Sequence, residues 1–153
     1  MQKVILENVR IGFRNFQGKE SKYNPKGRRN FCVFLDDDTA EEMAKDGWNI
    51  KYLVPRSEDE TAQAYMQVAV NFANMPPSIL MISNGQRIQL DEDSVDILDW
   101  ADIESVDIII NPYEWEVSGK SGVKAYLKKM YVTIEDDPLA SKYWEPDEYE
   151  ESE

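Results

Sequence analysis

The stretch SVDIIINPYEWEVSGKSGVKAYLKKMYVTI, residues 105–134, decides the fold. It reads as two long strands, about 105–117 and 123–134, joined around SGKSG. Side chains alternate across a strand with period two, and here the alternation breaks on both sides of the turn. In the second strand Val123, Ala125 and Leu127 are apolar on odd positions, whereas Met130, Val132 and Ile134 are apolar on even ones. Keeping one face inward requires an extra residue near Lys128-Lys129. In the first strand the apolar set moves from Val106, Ile108 and Ile110 to Tyr113, Trp115 and Val117, with Pro112 between them. Proline inside a strand belongs to an edge or a bulge. Two adjacent strands that both shift register predict a strongly bent sheet, and a small closed or partly closed barrel accommodates one.

The remaining body is consistent with that barrel. Val4–Phe13 and Asn30–Leu35 are β-branched or aromatic and flank a loop rich in Gly, Asn, Ser and Pro. Thr39-Ala40-Glu41-Glu42 has capping-box spacing and Gly47 follows as a stop, predicting one short helix over Ala40–Asp46. Trp48–Val54 and Met66–Phe72 alternate as strands around the polar connector Ser57–Thr61. Ile79–Ile82 and Gln86–Leu90 flank Asn84-Gly85, the strongest short hairpin signal. Asp91–Asp102 is acidic, with room for one helical turn.

Of 153 residues, 42% are hydrophobic, which suffices for a core and excludes wholesale disorder. The length suits one domain with a tail. From Glu135 the composition changes: residues 135–153 hold nine acids against one base, Lys142, with Pro138 and Pro146. A self-repelling block of this kind predicts a flexible acidic tail after a domain spanning 1–134. Histidine is absent and Cys32 is the single cysteine, so no internal disulfide, no His-activated nucleophile and no His-based zinc site is available. No apolar run approaches the roughly 20 residues of a membrane helix, and Glu7, Asn8 and Arg10 interrupt any signal-like stretch at the start. The expectation is a soluble, cytoplasmic, non-enzymatic protein with no metal or cofactor.

The net charge of −13 argues against an anionic partner until its distribution is considered. Residues 10–29 contain Arg10, Arg14, Lys19, Lys22, Lys26, Arg28 and Arg29 against Glu20 alone. Residues 118–134 contain Lys120, Lys124, Lys128 and Lys129 and no acid. Cations clustered in this way track a phosphate backbone and release its condensed counterions on binding. Phe16 and Tyr23 in the first segment and Tyr126 in the second add faces on which bases stack without regard to sequence. Each has a plainer structural alternative. Phe13, near a strand end, reads as core, and so does Trp115. Pairing Val117 with Val123 would set Glu116 against Lys124 and Glu114 against Tyr126, which is ordinary cross-strand surface chemistry.

Other motifs fail. SGKSG lacks the glycine that a phosphate-binding loop needs five positions before Gly119, where Glu114 stands, and it joins strand to strand. Asp36-Asp37-Asp38 and Asp91-Glu92-Asp93, with Asp96, Asp99 and Asp102, could ligate magnesium in a nuclease, but such clusters are more often caps and solvated faces. Cys32, between Phe31 and Val33, reads as a buried strand residue.

The order KVILENVRIGFRNF…GRRNFCVFL, then NPYEWEVSGKSGVKAYLKKMYVTI, then an acidic tail, resembles the single-stranded DNA-binding proteins of tailed bacteriophages. The resemblance covers most of residues 3–134. It implies a mainly β, OB-fold-like barrel that coats single strands in phage DNA replication, recombination and repair. It also implies a tail that recruits replication or recombination proteins and shields the groove when DNA is absent. By position, Arg14–Arg29 and Lys120–Lys129 would flank that groove, and Tyr143, Trp144 and Tyr149 would anchor the tail to its partners. One departure stands out: the tail ends Tyr149-Glu150-Glu151-Ser152-Glu153, whereas many such tails end on an apolar or aromatic residue. The competing reading is an acidic interaction module or DNA mimic, favoured by the total charge and disfavoured by the segregated cations.

Overall fold

A computed structural model describes residues 1–135. The chain runs β1 (Val4–Asn15), β2 (Arg29–Leu35), α1 (Asp37–Lys45), β3 (Ile50–Leu53), β4 (Gln63–Val70), β5 (Ser78–Ser83) and β6 (Gln86–Leu90). A 3-10 helix (Val95–Asp99) then leads to β7 (Ile103–Val117) and β8 (Lys120–Ile134). The strands are ordered β3-β4-β2-β1-β7-β8-β5-β6, and a further pairing of β4 with β8 closes β1, β2, β4, β8 and β7 into a five-stranded barrel. Closure rests on the parallel pairs Val68↔Ala125 and Ala69↔Tyr126. The resulting fold is mainly β, with one helix, as the sequence predicts.

Alternation sorts the side chains. Phe31, Val33 and Leu35 of β2, Met66, Val68 and Val70 of β4, and Val106, Ile108 and Ile110 of β7 all point inward and are buried. In β8 the buried set passes from Val123, Ala125 and Leu127 to Met130 and Val132. The extra residue is Lys128: Ile110 pairs with Leu127 and Ile109 with Lys129, leaving it as a bulge. The anticipated bulge therefore forms, and it keeps a single face of β8 inward along its bend.

Pro112 behaves otherwise. It pairs with Ala125 in unbroken register, on a part of β7 beyond the last pair with β1, Val4↔Ile110. Proline is tolerated there because one side of the strand is an edge. The register is unbroken from Ile110 to Val117, so Tyr113, Trp115 and Val117 lie on the outer face and are exposed, contrary to the expected burial of Trp115. The turn is also tighter than anticipated. Ser118 and Gly119, both at positive φ, form a two-residue hairpin loop, and Val117 pairs with Lys120. Positive φ at both positions matches the twist of the flanking strands. Asn84 and Gly85 make the same kind of turn between β5 and β6.

Helix α1 starts three residues earlier than the capping box suggests. Asp36 is the N-cap, its carboxylate accepting the Thr39 amide at 2.7 Å, and Gly47 follows the C-cap at φ 97°. That bond holds the Asp36 carboxyl below its usual range, the backbone donor being the largest cause. Ala40 and Met43 of α1 join Trp48 at one end of the core.

Candidate nucleic-acid interface

Three structures meet around one groove of about 620 Å³: the loop between β1 and β2, the end of β4, and the hairpin β7–β8. Tyr23, Arg28, Arg29, Lys124 and Tyr126 all line it, so the two basic segments converge although nearly a hundred residues separate them. Ala69 and Gln67 of β4 also line the groove, and Glu92 is the one acid among the lining residues. β4 and β5 share one edge of β8, and Asn71, Phe72 and Ala73 of the chain between them also line the groove. β4 pairs at Ala125 and Tyr126, β5 pairs from Lys129 onward, and the two diverge between.

The loop is built, not slack. The Asn24 amide donates to the carbonyls of Lys19, Pro25 and Arg28 at 3.0–3.1 Å and accepts from Asn30 at 2.9 Å. The Gly27 amide donates to the Gly18 carbonyl at 2.8 Å. A Cβ on Gly18 would come within 3.0 Å of the Gly27 backbone, and φ is positive there, so glycine is required. The loop is also fastened to the body. The Asp99 carboxylate accepts the Phe16 and Gln17 amides at 2.7 and 3.0 Å, and Arg14 donates to the carbonyls of Leu98 and Ala101 at 2.8 Å.

This fastening corrects two expectations. Phe16 is 0% exposed and stacked on Phe31 at 5.2 Å between centroids, so it belongs to the core and cannot meet a base. Its burial follows from the Asp99 clasp, which draws the loop's first residues down onto the 3-10 helix. Arg14 ties elements together through backbone carbonyls. Arg29 does both: it donates to the Phe16 carbonyl, lies 5.4 Å from the Phe72 ring and still lines the groove.

Beside the groove the outer face of β1, β2 and β4 carries a second feature. Phe13 is 60% exposed, where core was expected, and its ring lies 6.3 Å from Phe34 and 5.8 Å from Tyr65. Arg10 stands over Phe34 at 5.0 Å. Gly12 makes room: a Cβ there would fall 2.8 Å from the Phe34 ring. Phe34 pairs with Tyr65, and Asn30 with Ala69, so one outward row runs toward the groove. Sequence reasoning missed Phe34 and Tyr65. The available signal was parity, since each is an aromatic on the polar phase of its strand.

The hairpin repeats the pattern. Tyr113 pairs with Lys124 and Asn111 with Tyr126, placing Tyr113, Trp115, Lys124 and Tyr126 on one outer face. Tyr113 and Tyr126 meet edge to face at 6.0 Å, and Lys124 lies 5.1 Å from the Tyr126 ring. Trp115 covers Gly122, where a Cβ would fall 2.8 Å from the indole. Lys22 stands 5.4 Å from Tyr23, itself 87% exposed. Lys19, Lys26 and Lys120 are exposed and lie outside the groove lining, while Lys128 and Lys129 sit at the bulge.

Among the described residues no candidate cation is paired with a carboxylate. The ion pairs among the described residues are the Met1 amine with Glu114 at 3.6 Å and Lys45 with Glu41 at 3.9 Å. The acids have local work instead. Asp91 accepts from Ser94 and the Asp93 amide, which holds its carboxyl below the usual range, and Asp99 clasps the loop. No group of three or more His, Cys, Asp or Glu among the described residues could hold a metal ion. Cys32 is buried on β2, and desolvation is the largest cause raising its thiol to about 11, with Lys51 acting weakly the other way. No helix among the described residues is long and apolar enough to cross a membrane. Tyr143, Trp144 and Tyr149 lie outside the described residues.

The family model "Putative phage ssDNA-binding domain" matches residues 1–152. Three solved structures of the single-stranded DNA-binding protein from bacteriophage Enc34 resemble this chain at 13% identity. The complex with ssDNA covers 90% of this chain and 89% of that one at TM-score 0.58. A C-terminal truncation covers 89% and 87% at 0.57, and a further structure covers 94% and 87% at 0.56. A search of curated proteins finds no match.

Proposed function

This chain belongs to the phage ssDNA-binding domain family, and from that premise we propose that it binds single strands with little sequence preference along the groove and the adjoining aromatic face. One observation carries the reading: Arg28, Arg29 and Lys124 converge on a groove with Tyr23 and Tyr126, and none has a carboxylate partner among the described residues. Unpaired cations bind phosphates at no cost of breaking an ion pair, while exposed rings offer a face to any base. Arg10, Phe13, Phe34 and Tyr65 extend this platform across the barrel. Lys19, Lys22, Lys26 and Lys120 form its outer charge. A duplex keeps its bases stacked on each other, so these rings favour the single strand.

Residues 1–134 act as the binding domain, and the acidic tail, 135–153, competes with DNA for the groove. The same tail recruits replication or recombination proteins through Tyr143, Trp144 and Tyr149, in the host cytoplasm, during phage DNA replication, recombination and repair. No catalytic role is assigned. The DNA-mimic alternative loses support because the chain belongs to the phage ssDNA-binding domain family.

Titration of oligo-dT in rising salt tests the reading. Wild-type protein should bind with log affinity falling linearly in log salt, and duplex should compete poorly. Tyr126→Ala should weaken oligo-dT binding by ~1–3 kcal/mol, roughly 5- to 150-fold, with the melting temperature unmoved. Equal affinity for duplex and single strand would remove stacking from the account. Deleting 135–153 should raise affinity most at low salt, where screening is weakest.

A further inference from the structure

A second cluster of positive charge lies outside the groove, at the seam where β1, β7 and β8 run side by side. Val4 pairs with Ile110, and Ile110 with Leu127, so a single row crosses all three strands. Lys3 leads into that row on one side, and the bulged Lys128 leaves it on the other. Because Lys128 is the extra residue of the bulge, it has no partner on β7 to fix where it points. Lys3 on the β1 side and Lys128 on the β8 side thus bracket β7 at the same level. Lys129 adds a third ammonium, 5.1 Å from the Tyr131 ring.

Three ammonium groups gathered on one seam repel each other unless an anion lies among them. None of the three has an ion-pair partner among the described residues. The nearby carboxylates are engaged elsewhere: Asp107 accepts the Asn8 amide at 2.7 Å and Glu114 holds the Met1 amine. The crowding is visible in Lys128, whose ammonium titrates below the usual lysine range. The neighbouring Lys3 is the largest cause, followed by partial desolvation and the charge on Lys129. An anion between the two amines would turn the repulsion into two charge-assisted hydrogen bonds.

We propose that Lys3, Lys128 and Lys129 form a second phosphate-binding site, separate from the groove, that takes the backbone of a single strand continuing past Tyr126. This rests on the groove reading above. Tyr126 lines the groove, and Lys128 follows two residues later, about 7 Å along the strand at ~3.3 Å per residue. A strand leaving the groove at Tyr126 therefore meets the cluster next. Short ligands fill the groove alone, and longer ones reach the seam.

Length-dependent binding by the full chain tests this. The probes are an oligo-dT of roughly 6 nucleotides, within the ~4–16 that one OB fold covers, and one of about 30. With the long probe, the double substitution Lys3→Gln/Lys128→Gln should lower the slope of log affinity against log salt by about 1.4, at ~0.7 per phosphate contact on a single strand. With the short probe the slope and the affinity should stay as in wild type. Lys129→Gln alone should lower the long-probe slope by about 0.7, which keeps the test available should the double variant fold poorly. Equal losses on both probes would place these lysines in the groove and overturn the proposal, as would no loss on either. Failure of the wild type to bind any oligo-dT would instead overturn the groove reading itself, and this site with it.

Discussion

The segment 10–29 and the hairpin segment 118–129 look alike in sequence, each basic with aromatics interleaved, yet they use those residues differently. In the first segment, the guanidinium of Arg14 at the end of β1 donates to two backbone carbonyls, Arg29 at the start of β2 donates to a third, and Phe16 between them is sealed in the core. In the hairpin, Lys124 and Lys128 are exposed without acidic partners among the described residues, and Tyr113, Trp115 and Tyr126 share an outer face. The difference follows from chemistry. A guanidinium carries several donors in a fixed fork and can satisfy the carbonyls at a helix end, whereas an ammonium on a flexible stem stays hydrated and free to meet a phosphate. Long irregular loops must be anchored to hold a groove open, and a two-stranded hairpin is already held by its ladder. A basic segment spanning a long loop and its strand ends is thus partly scaffold, and the same composition on a hairpin is mostly surface.

Phe16→Ala would break this comparison most sharply. Truncating a fully buried aromatic should cost ~3–5 kcal/mol in chemical denaturation, while the folded fraction keeps its oligo-dT affinity. Unchanged stability with lost binding would return Phe16 to the interface. Arg14→Ala against Lys124→Ala sharpens it next. The first leaves two carbonyls without their donor and should lower stability by ~1–3 kcal/mol. The second should leave stability alone and reduce the salt slope by about 0.7 on every sequence.

The smallest effect concerns Cys32, beneath the outer face. Its thiol is raised from 9.0 to about 11 by burial. A raised folded value means that stability is complete below the unfolded value and is lost as pH rises toward 11. Wild type should therefore lose more stability than Cys32→Ala between about pH 9 and 11, as read from paired denaturation curves. Parallel curves would show that the thiol is not desolvated.

Much of this molecule is legible from residue order. Period-two alternation places Phe31, Val33, Met66, Val68 and Ile108 inside, and the parity break in β8 locates a bulge near Lys128-Lys129 without coordinates. Asn84-Gly85 specifies its own turn. These features are local or nearly so: each depends on which side of a strand a residue occupies, and alternation fixes that. Pro112 shows where parity misleads. The apolar phase changes there while the backbone register does not, because the strand has passed the end of β1 and its outward residues have no neighbouring strand of β1 beside them.

What only the tertiary structure decided is who meets whom. Segregated charge in the sequence told of two cationic segments, and the β4–β8 closure brought them to one groove. Nothing in either segment encodes the Asp99 clasp, since its partners stand more than eighty residues away. The fate of Phe16 and Arg14 depended on that clasp, and that of Phe13 on the break in the β1–β2 register between Gly12 and Asn15, where its own φ is 47°. Side-chain type and spacing set which groups are available, but burial and pairing are properties of distant surfaces brought together, and the closed barrel determined those.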